Sequence, residues 1–248
     1  MWSVRACFAG LLLLVPMVAQ AVECRTVRHE GAKFTVCEAD AAREDIRLFH
    51  SDAATGEVLG GFPQVNAMLE REGLALAMGM NAGMYHNDLA PVGLYVEEGE
   101  ERARIVTSDG PGNFGLLPNG VFCIREGRAD VIESLRFVDE APDCRFATQS
   151  GPMLVIDGKL HPRFLKDSDS VYVRNGVGTS ADGTRVVFAI SDDRVNFHTF
   201  GTLYRDVLKL PNALYLDGKV SRLYAPAIRR HDRGFPMGPI VGVTKPLD

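Results

Sequence analysis

Short apolar segments recur along this chain, each cut off by Gly, Asn or Asp: "KFTVCEA", "DIRLFHS", "LALAMGM", "VGLYVEE", "GVFCIRE", "PMLVIDG", "SVYVRNG", "RVVFAIS", "NALYLDG" and "PIVGVTK". β-Branched and aromatic side chains suit a pleated, half-buried surface, and Gly, Asn and Asp suit turns, so the pattern specifies a sheet-rich fold. Two stretches carry a helical period instead. "FPQVNAMLEREG" puts Phe62, Val65 and Leu69 on one side and stops at Gly73, a natural C-terminal cap. "NFHTFGTLYRDVLKL" puts Phe197, Phe200, Leu203, Tyr204, Val207 and Leu208 on one broad stripe, which Gly201 weakens. Each helix runs into a buried-looking strand, "LALAMGM" and "NALYLDG" respectively. With no internal repeat, low-complexity tract or Pro/Ser-rich linker, the expectation is an α+β fold, a single sheet-rich domain with at least two helices packed on a mixed β-sheet.

The first residues bear on compartment. Arg5 precedes the apolar run "CFAGLLLLVPMVA", and "AQA" at 19 to 21 offers small residues for cleavage, which together read as a secretory signal peptide over residues 1–21. The apolar run is short for a membrane span, and polar "VECRTVRHEG" follows at once. A lipoprotein would acylate Cys24, but Glu23 stands where a small residue is wanted. The expectation is a periplasmic or secreted protein, residues 22–248, with no stable membrane span after cleavage. Its formal charge of −5 becomes one unit more negative when Arg5 is lost. Such a chain has no basic excess to hold a nucleic-acid backbone, so no nucleic-acid partner is expected. Cleavage also removes Cys7 and leaves Cys24, Cys37, Cys123 and Cys144, an even number for an oxidising compartment. "CRTVRHEGAKFTVC" reads as two strands joined at Glu30-Gly31, which favours Cys24–Cys37 and therefore Cys123–Cys144 among the three connectivities. The cysteines lack the close spacing of a zinc knuckle and the histidines are scattered, so no metal site is expected.

Polar residues stand at the ends of several apolar runs: Asn81 in "MNAGMY", Gln149 and Ser150 in "ATQSGPML", Arg174 and Asn175 in "YVRNGVG", Asp217 and Ser221 in "YLDGKVS". Taken singly, each is also what a turn requires. Their joint occurrence points to loops held by a rigid sheet, where binding and catalytic groups collect. The matching stretches are "NAGMY" (81 to 85), "PVGLYVEEG" (91 to 99), "GNFGLLPNGVF" (112 to 122), "TQSGPML" (148 to 154), "RNGVG" (174 to 178) and "ALYLDGKVSRLY" (213 to 224). In their order and spacing the chain resembles the phosphodiester glycosidases, the domain of the mannose 6-phosphate uncovering enzyme, and in particular their bacterial secreted branch. The resemblance covers most of the mature chain. One departure is "DGKVS" where the family often has "DGGGS"; Lys219 and Val220 leave Asp217 and Ser221 in place.

The resemblance implies a hydrolase acting on a sugar-1-phosphodiester in a glycan or cell-envelope substrate, with no cofactor required. Such a substrate sets an anionic phosphate beside an anomeric carbon. Arg174 is expected on the phosphate, because a guanidinium forms charge-assisted, potentially bidentate bonds to its oxygens. Asp217 is expected at the anomeric centre as acid, base or nucleophile. Glycoside hydrolysis ordinarily uses a second carboxylate, for which Asp192 in "ISDDRVNF" is the choice, ahead of Asp193 and Asp88; a phosphate leaving group also lets one carboxylate suffice. Asn81, Asn175, Gln149, Ser150 and Ser221 suit hydrogen bonding to substrate, and Gly83 and Gly151 permit close backbone approach. Ser150 lacks the Gly two residues earlier that a nucleophile elbow needs. "RRHDRGF" at 229 to 235 reads equally as an extension of an anionic groove or as an exposed charged loop. Two other readings compete: a metal-dependent phosphodiesterase in which Asp217, Asp192 and Asp88 hold a divalent cation, and a non-catalytic glycan-binding module in which Tyr85 and Tyr224 stack on sugars.

Overall fold

The computed structural model describes residues 22–218 and 220–247; the expected signal peptide, residues 1–21, lies outside them. Within the described residues, seventeen strands form three sheets around one core, with three α-helices, a π-helical turn and a 3-10 turn. The sheet-rich α+β expectation holds. The sheets are not mixed, however: every strand pairing among the described residues is antiparallel, as follows when strands are joined by hairpins rather than helical crossovers.

The largest sheet has seven strands. Its middle runs from Ala32–Asp40 through Arg185–Ser191 and Asn175–Thr179 to Asn212–Asp217 and Met153–Ile156. Alternation along Arg185–Ser191 shows why this strand is apolar at nearly every position. Val186, Phe188 and Ile190 face the central core, while Val187 and Ala189 face the layer beneath the helix that starts at Phe197. The second sheet centres on Leu74–Asn81 between Leu223–Ala225 and Ile240–Pro246. Met78 and Met80 point to the central core, and Leu76 points outward to Phe62, Val65 and Leu69 of helix Phe62–Glu70. The third sheet, around Phe146–Ser150 and Gly120–Arg125, closes the core with Phe122, Ile124 and Phe146. Strands covered on both faces read as continuous apolar runs, and this gave the sequence its character.

Both expected disulfides are present, Cys24–Cys37 and Cys123–Cys144. The first joins residues directly opposite in the opening hairpin, where Glu30 and Gly31 make the turn. Helix Phe62–Glu70 buries the expected face, and Gly73 follows with φ +74°. The second helix differs. Phe197–Thr202 is α-helical, but Leu203–Val207 is a π-turn in which the Leu208 N–H reaches back to the Leu203 carbonyl at 2.9 Å. The wider turn rotates Val207 off the buried stripe, leaving it 40% exposed while Leu203, Tyr204 and Leu208 stay buried. Gly201 is there for contact: a Cβ at that position would meet Leu160 Cδ1 at 2.5 Å.

"SVYVRNG" is also not a strand along its length. Tyr172 makes only an isolated bridge to Val195, and the strand begins at Asn175 and runs through "NGVGT". Its glycines serve packing, since a Cβ at Gly178 would lie 2.8 Å from both Tyr204 and Leu210 side-chain atoms. A third helix, Ser134–Glu140, carries no clear apolar stripe in sequence; its first turn is capped by the Glu133 carboxylate, which accepts from Arg136 N.

Candidate active site

Three strand ends converge where the large sheet meets the second one: the end of Leu74–Asn81, the start of Asn175–Thr179 and the end of Asn212–Asp217. Asn81 and Asn175 are fully buried and bind each other reciprocally. The Asn175 amide donates to the Asn81 side-chain and backbone oxygens, both at 3.0 Å, and Asn81 Nδ2 donates to Asn175 Oδ1 at 3.3 Å. Asn175 Oδ1 also accepts from the backbone N–H of Asp217 at 3.0 Å, and Asn81 Oδ1 from that of Arg222 at 2.9 Å. The two amides thus fix both ends of the turn after Asp217. Ser221 closes it, its hydroxyl donating to the Asp217 carbonyl at 2.7 Å and lying 3.0 Å from the Val173 carbonyl.

At this junction the register slips: Asn175 pairs with Asp217, yet Gly176 pairs with Tyr215. The strand Asn212–Asp217 therefore carries one extra residue beside Asn175. Bulges of this kind re-aim side chains, and this one sits on the candidate acid. Asp217 keeps 9% of its surface exposed, and its Oδ1 accepts the Gly218 N–H at 2.6 Å. Gly218 leaves room for the Tyr215 hydroxyl, which a Cβ there would displace.

Asp217 lines a pocket of about 650 Å³ walled by Met84, Tyr85, Asn113, Tyr172, Tyr215 and Phe235. Among the described lining residues it is the one carboxylate. Burial pushes the Tyr85 and Tyr215 hydroxyls above the ordinary phenol range, and the Asp217 charge pushes both further, so both phenols stay neutral donors beside the carboxylate. The rim is aromatic, with Phe235 85% and Tyr172 48% exposed.

Arg174 lies beneath this wall, fully buried. Its Nε donates to the Val195 carbonyl at 2.8 Å and its Nη2 to the Ser170 carbonyl at 2.9 Å. The guanidinium carbon stands 3.6 Å from the centroid of the Phe197 ring, 5.4 Å from that of Tyr215 and 5.5 Å from that of Tyr172. Burial lowers its proton affinity below the ordinary guanidinium value, and the two tyrosines oppose this only in part. No carboxylate pairs with Arg174 among the described residues, and its Nη1 is buried without an acceptor. Two of its nitrogens are committed to carbonyls, and the side chain does not line the Asp217 pocket.

The other candidates stand apart. Asp192 is held by Arg230 at 2.5 Å, by the Thr35 hydroxyl at 3.2 Å and by Lys33 at 3.8 Å, and it does not line the Asp217 pocket. Asp193 accepts from Lys33 N, and Asp88 caps its own turn at Ala90 N. Among the described residues no three His, Cys, Asp or Glu side chains gather into a metal-holding group. Gln149 spends its whole amide on the protein: Nε2 donates to the Val106 carbonyl and Ser134 Oγ, and Oε1 accepts from Leu94 N and Val106 N. Ser150 donates to the Leu216 carbonyl at 2.9 Å, bracing the strand next to Asp217. Gly83 and Gly151 permit close packing inside the protein; a Cβ at Gly151 would meet Asn119 Cβ at 2.6 Å. Tyr224 packs against Phe62 and His231, outside the pocket.

The profile of the phosphodiester glycosidase family matches residues 75–242, a span that includes every strand end of the junction. The chain belongs to the phosphodiester glycosidase family. It is 30% identical to the uncharacterized protein YigE of Escherichia coli K12 over 213 residues, which cover 86% of this chain and 82% of that one. In structure it resembles the catalytic domain of zebrafish N-acetylglucosamine-1-phosphodiester alpha-N-acetylglucosaminidase, with a TM-score of 0.62 at 13% identity over 90% of this chain and 81% of that one. A hypothetical protein from Synechocystis shares the fold as well, with a TM-score of 0.61 at 12% identity over 91% of this chain and 62% of the other. Sequence reasoning reached the family through Asn81, Asn175, Asp217 and Ser221. It missed Tyr172 and Tyr215 as pocket residues, because aromatic residues in apolar runs are indistinguishable from core until the turn that exposes them is known.

Proposed function

We propose that this phosphodiester glycosidase is an exported hydrolase that cleaves the bond between an anomeric carbon and a phosphodiester oxygen, with Asp217 acting at the anomeric centre. The observation that carries this reading is the construction around Asp217. Two buried amides and a hydroxyl are spent on fixing one turn, and the turn delivers a single carboxylate to a roomy, aromatic-rimmed pocket. A turn aspartate needs no such scaffold.

Asp217 serves as the nucleophile, or as the base that takes a proton from attacking water. One carboxylate suffices because a phosphodiester leaves as a stable anion and needs little protonation. Tyr85 and Tyr215, kept neutral, donate hydrogen bonds to sugar or phosphate oxygens. Tyr172 and Phe235 offer flat apolar faces to a sugar ring. Arg174 contributes positive potential through Nη1 from beneath the wall, strengthened by its low-dielectric surroundings. Asn81, Asn175, Ser150 and Ser221 act as positioning residues. The test is a panel of glycosyl phosphodiesters offered to the purified protein with and without chelator. Release of reducing sugar unaffected by chelator is expected; chelator-sensitive release favours a metal-dependent phosphodiesterase, and saturable binding without turnover favours a binding module.

Export is supported by the apolar leader over residues 1–21 and by the two disulfides, which persist in oxidising compartments. Thiol titration of the denatured, unreduced mature protein is expected to find no free thiol. Four thiols would contradict both the pairing and the compartment.

A further inference from the structure

A second groove lies on the other side of Pro236, a residue that lines both it and the Asp217 pocket. Its volume is about 650 Å³, and its walls include Gly61, Phe62, Gln64, Arg222, His231 and Arg233. Arg222 is the unusual member. It is 8% exposed, its Nε and Nη2 are buried without an acceptor, and its guanidinium enters no ion pair among the described residues. Its backbone is pinned by Asn81, so the side chain starts from a fixed point. Gly234 lies flat against the guanidinium, where even a Cβ would come within 3.3 Å of Cζ and Nε. The groove does contain a carboxylate, Asp232, but Arg230 holds it at 3.0 Å and Leu223 N bonds it as well. An ionised donor left buried without an acceptor is costly, and a protein tolerates that where a ligand supplies the acceptor.

A second lining element points the same way. Helix Phe62–Glu70 begins at this groove with Gly61 as its N-cap, which has no side chain to cap the first turn, and that turn carries no acidic residue. Pro63 has no N–H and Val65 N donates to the Gly61 carbonyl, but the positive end of the helix and the Phe62 and Gln64 amides still favour a negative ligand. Arg233 adds to the cationic side of the balance.

We propose that this groove is a binding site for an oxyanion group, a phosphate or a carboxylate, gripped between the Arg222 guanidinium and the N-terminus of helix Phe62–Glu70. The site is distinct from the Asp217 pocket and does not depend on hydrolysis there. The experiment titrates the ¹⁵N-labelled mature protein separately with inorganic phosphate and with acetate, following the Arg222 Nε–H signal and the Phe62 and Gln64 amides. Saturable shifts of these signals are expected from at least one anion, and the responding anion assigns the group. Arg222→Gln removes the guanidinium charge. Gln64→Glu leaves Arg222 intact and sets a negative charge on an exposed position of the first turn. Each is expected to weaken the anion at least tenfold, whereas Asp217→Asn leaves the affinity within about threefold. Absence of saturable shifts with both anions overturns the site. So do shifts that survive both groove variants unchanged, or that vanish with Asp217→Asn, since those belong to the other pocket. If Arg222→Gln fails to fold, Gln64→Glu alone decides.

Discussion

Asp217 and Asp192 follow the same kind of sequence, an apolar strand that ends on an acid, and they do different work. Asp192 comes off Arg185–Ser191 and meets cations brought from elsewhere, Arg230 from the second sheet and Lys33 from the strand beside it. Asp217 comes off Asn212–Asp217, where its backbone N–H donates to the Asn175 amide oxygen and its backbone carbonyl accepts from Ser221, and its carboxylate opens into a pocket. Partners decide the role of an acid at a strand end. A carboxylate matched by Arg and Lys away from the cavity fits a structural pair, whereas one whose backbone is pinned at the wall of a cavity is placed to meet a substrate.

The comparison breaks first, and most visibly, at Asp217. Asn preserves the size and the Oδ1 that accepts from Gly218, so Asp217→Asn is expected to fold normally while turnover falls by about a hundredfold or more. Arg174 comes next. Its Ala variant loses the potential beneath the wall together with the contacts to Ser170 and Val195, and kcat/KM is expected to fall by about tenfold to a hundredfold; Lys restores part of it, because charge returns without the planar shape. A ratio of phosphodiester to neutral-glycoside hydrolysis that stays at the wild-type value in Arg174→Ala would remove Arg174 from phosphate recognition. Asp192→Asn inverts the pattern seen at Asp217. Activity is expected within about threefold of wild type while stability falls by about 1 kcal/mol, since a partly exposed pair with Arg230 is lost. Denaturant unfolding beside the same assay checks both halves.

The smallest effect concerns a third acid. Glu44 follows the strand Ala32–Asp40, and burial pushes its carboxyl up to about 7, with Asp40 adding to the rise and Arg43 and the Asp40 N–H opposing it. Its folded value lies above the ordinary 4.5, so its contribution to stability is fully present below pH 4.5 and is lost as pH rises to about 7. Glu44→Gln is expected to be more stable than wild type at pH 8 by about 1 kcal/mol and to converge with it near pH 4. Parallel stability curves for the two proteins would contradict the assignment.

How much of this was legible in sequence follows from the range of the interactions. Local signals carried the strands, the Phe62 helix and the hairpin disulfide, because periodicity and turn chemistry act over a few residues. Asn81, Asn175, Asp217 and Ser221 were legible as a set because each stands at or just beyond an end of an apolar run, and a strand end is where a sheet presents side chains. The surroundings of Asp192, chosen as a second acid ahead of Asp193 and Asp88, were not legible for a single reason. Its neutralising partner Arg230 lies 38 residues along the chain, and no local pattern reveals that pairing. Gln149 likewise reads as a polar group at a strand end until the loop at Val106 folds back to occupy it. The antiparallel character of every sheet and the π-turn at Leu203 are tertiary outcomes as well, set by which strands meet and by how tightly Tyr204 packs over Gly178.

The central claim is that Asp217 acts on bound substrate rather than shaping its own turn. It is tested most directly by calorimetric binding of a glycosyl phosphodiester to Asp217→Asn, on a preparation whose melting temperature and turnover are measured in parallel. The account predicts a dissociation constant within about threefold of the wild-type value, an unchanged melting temperature, and turnover reduced by about a hundredfold or more. Near-normal turnover from this folded variant would contradict it, returning Asp217 to the turn and the chemistry to another group in the pocket.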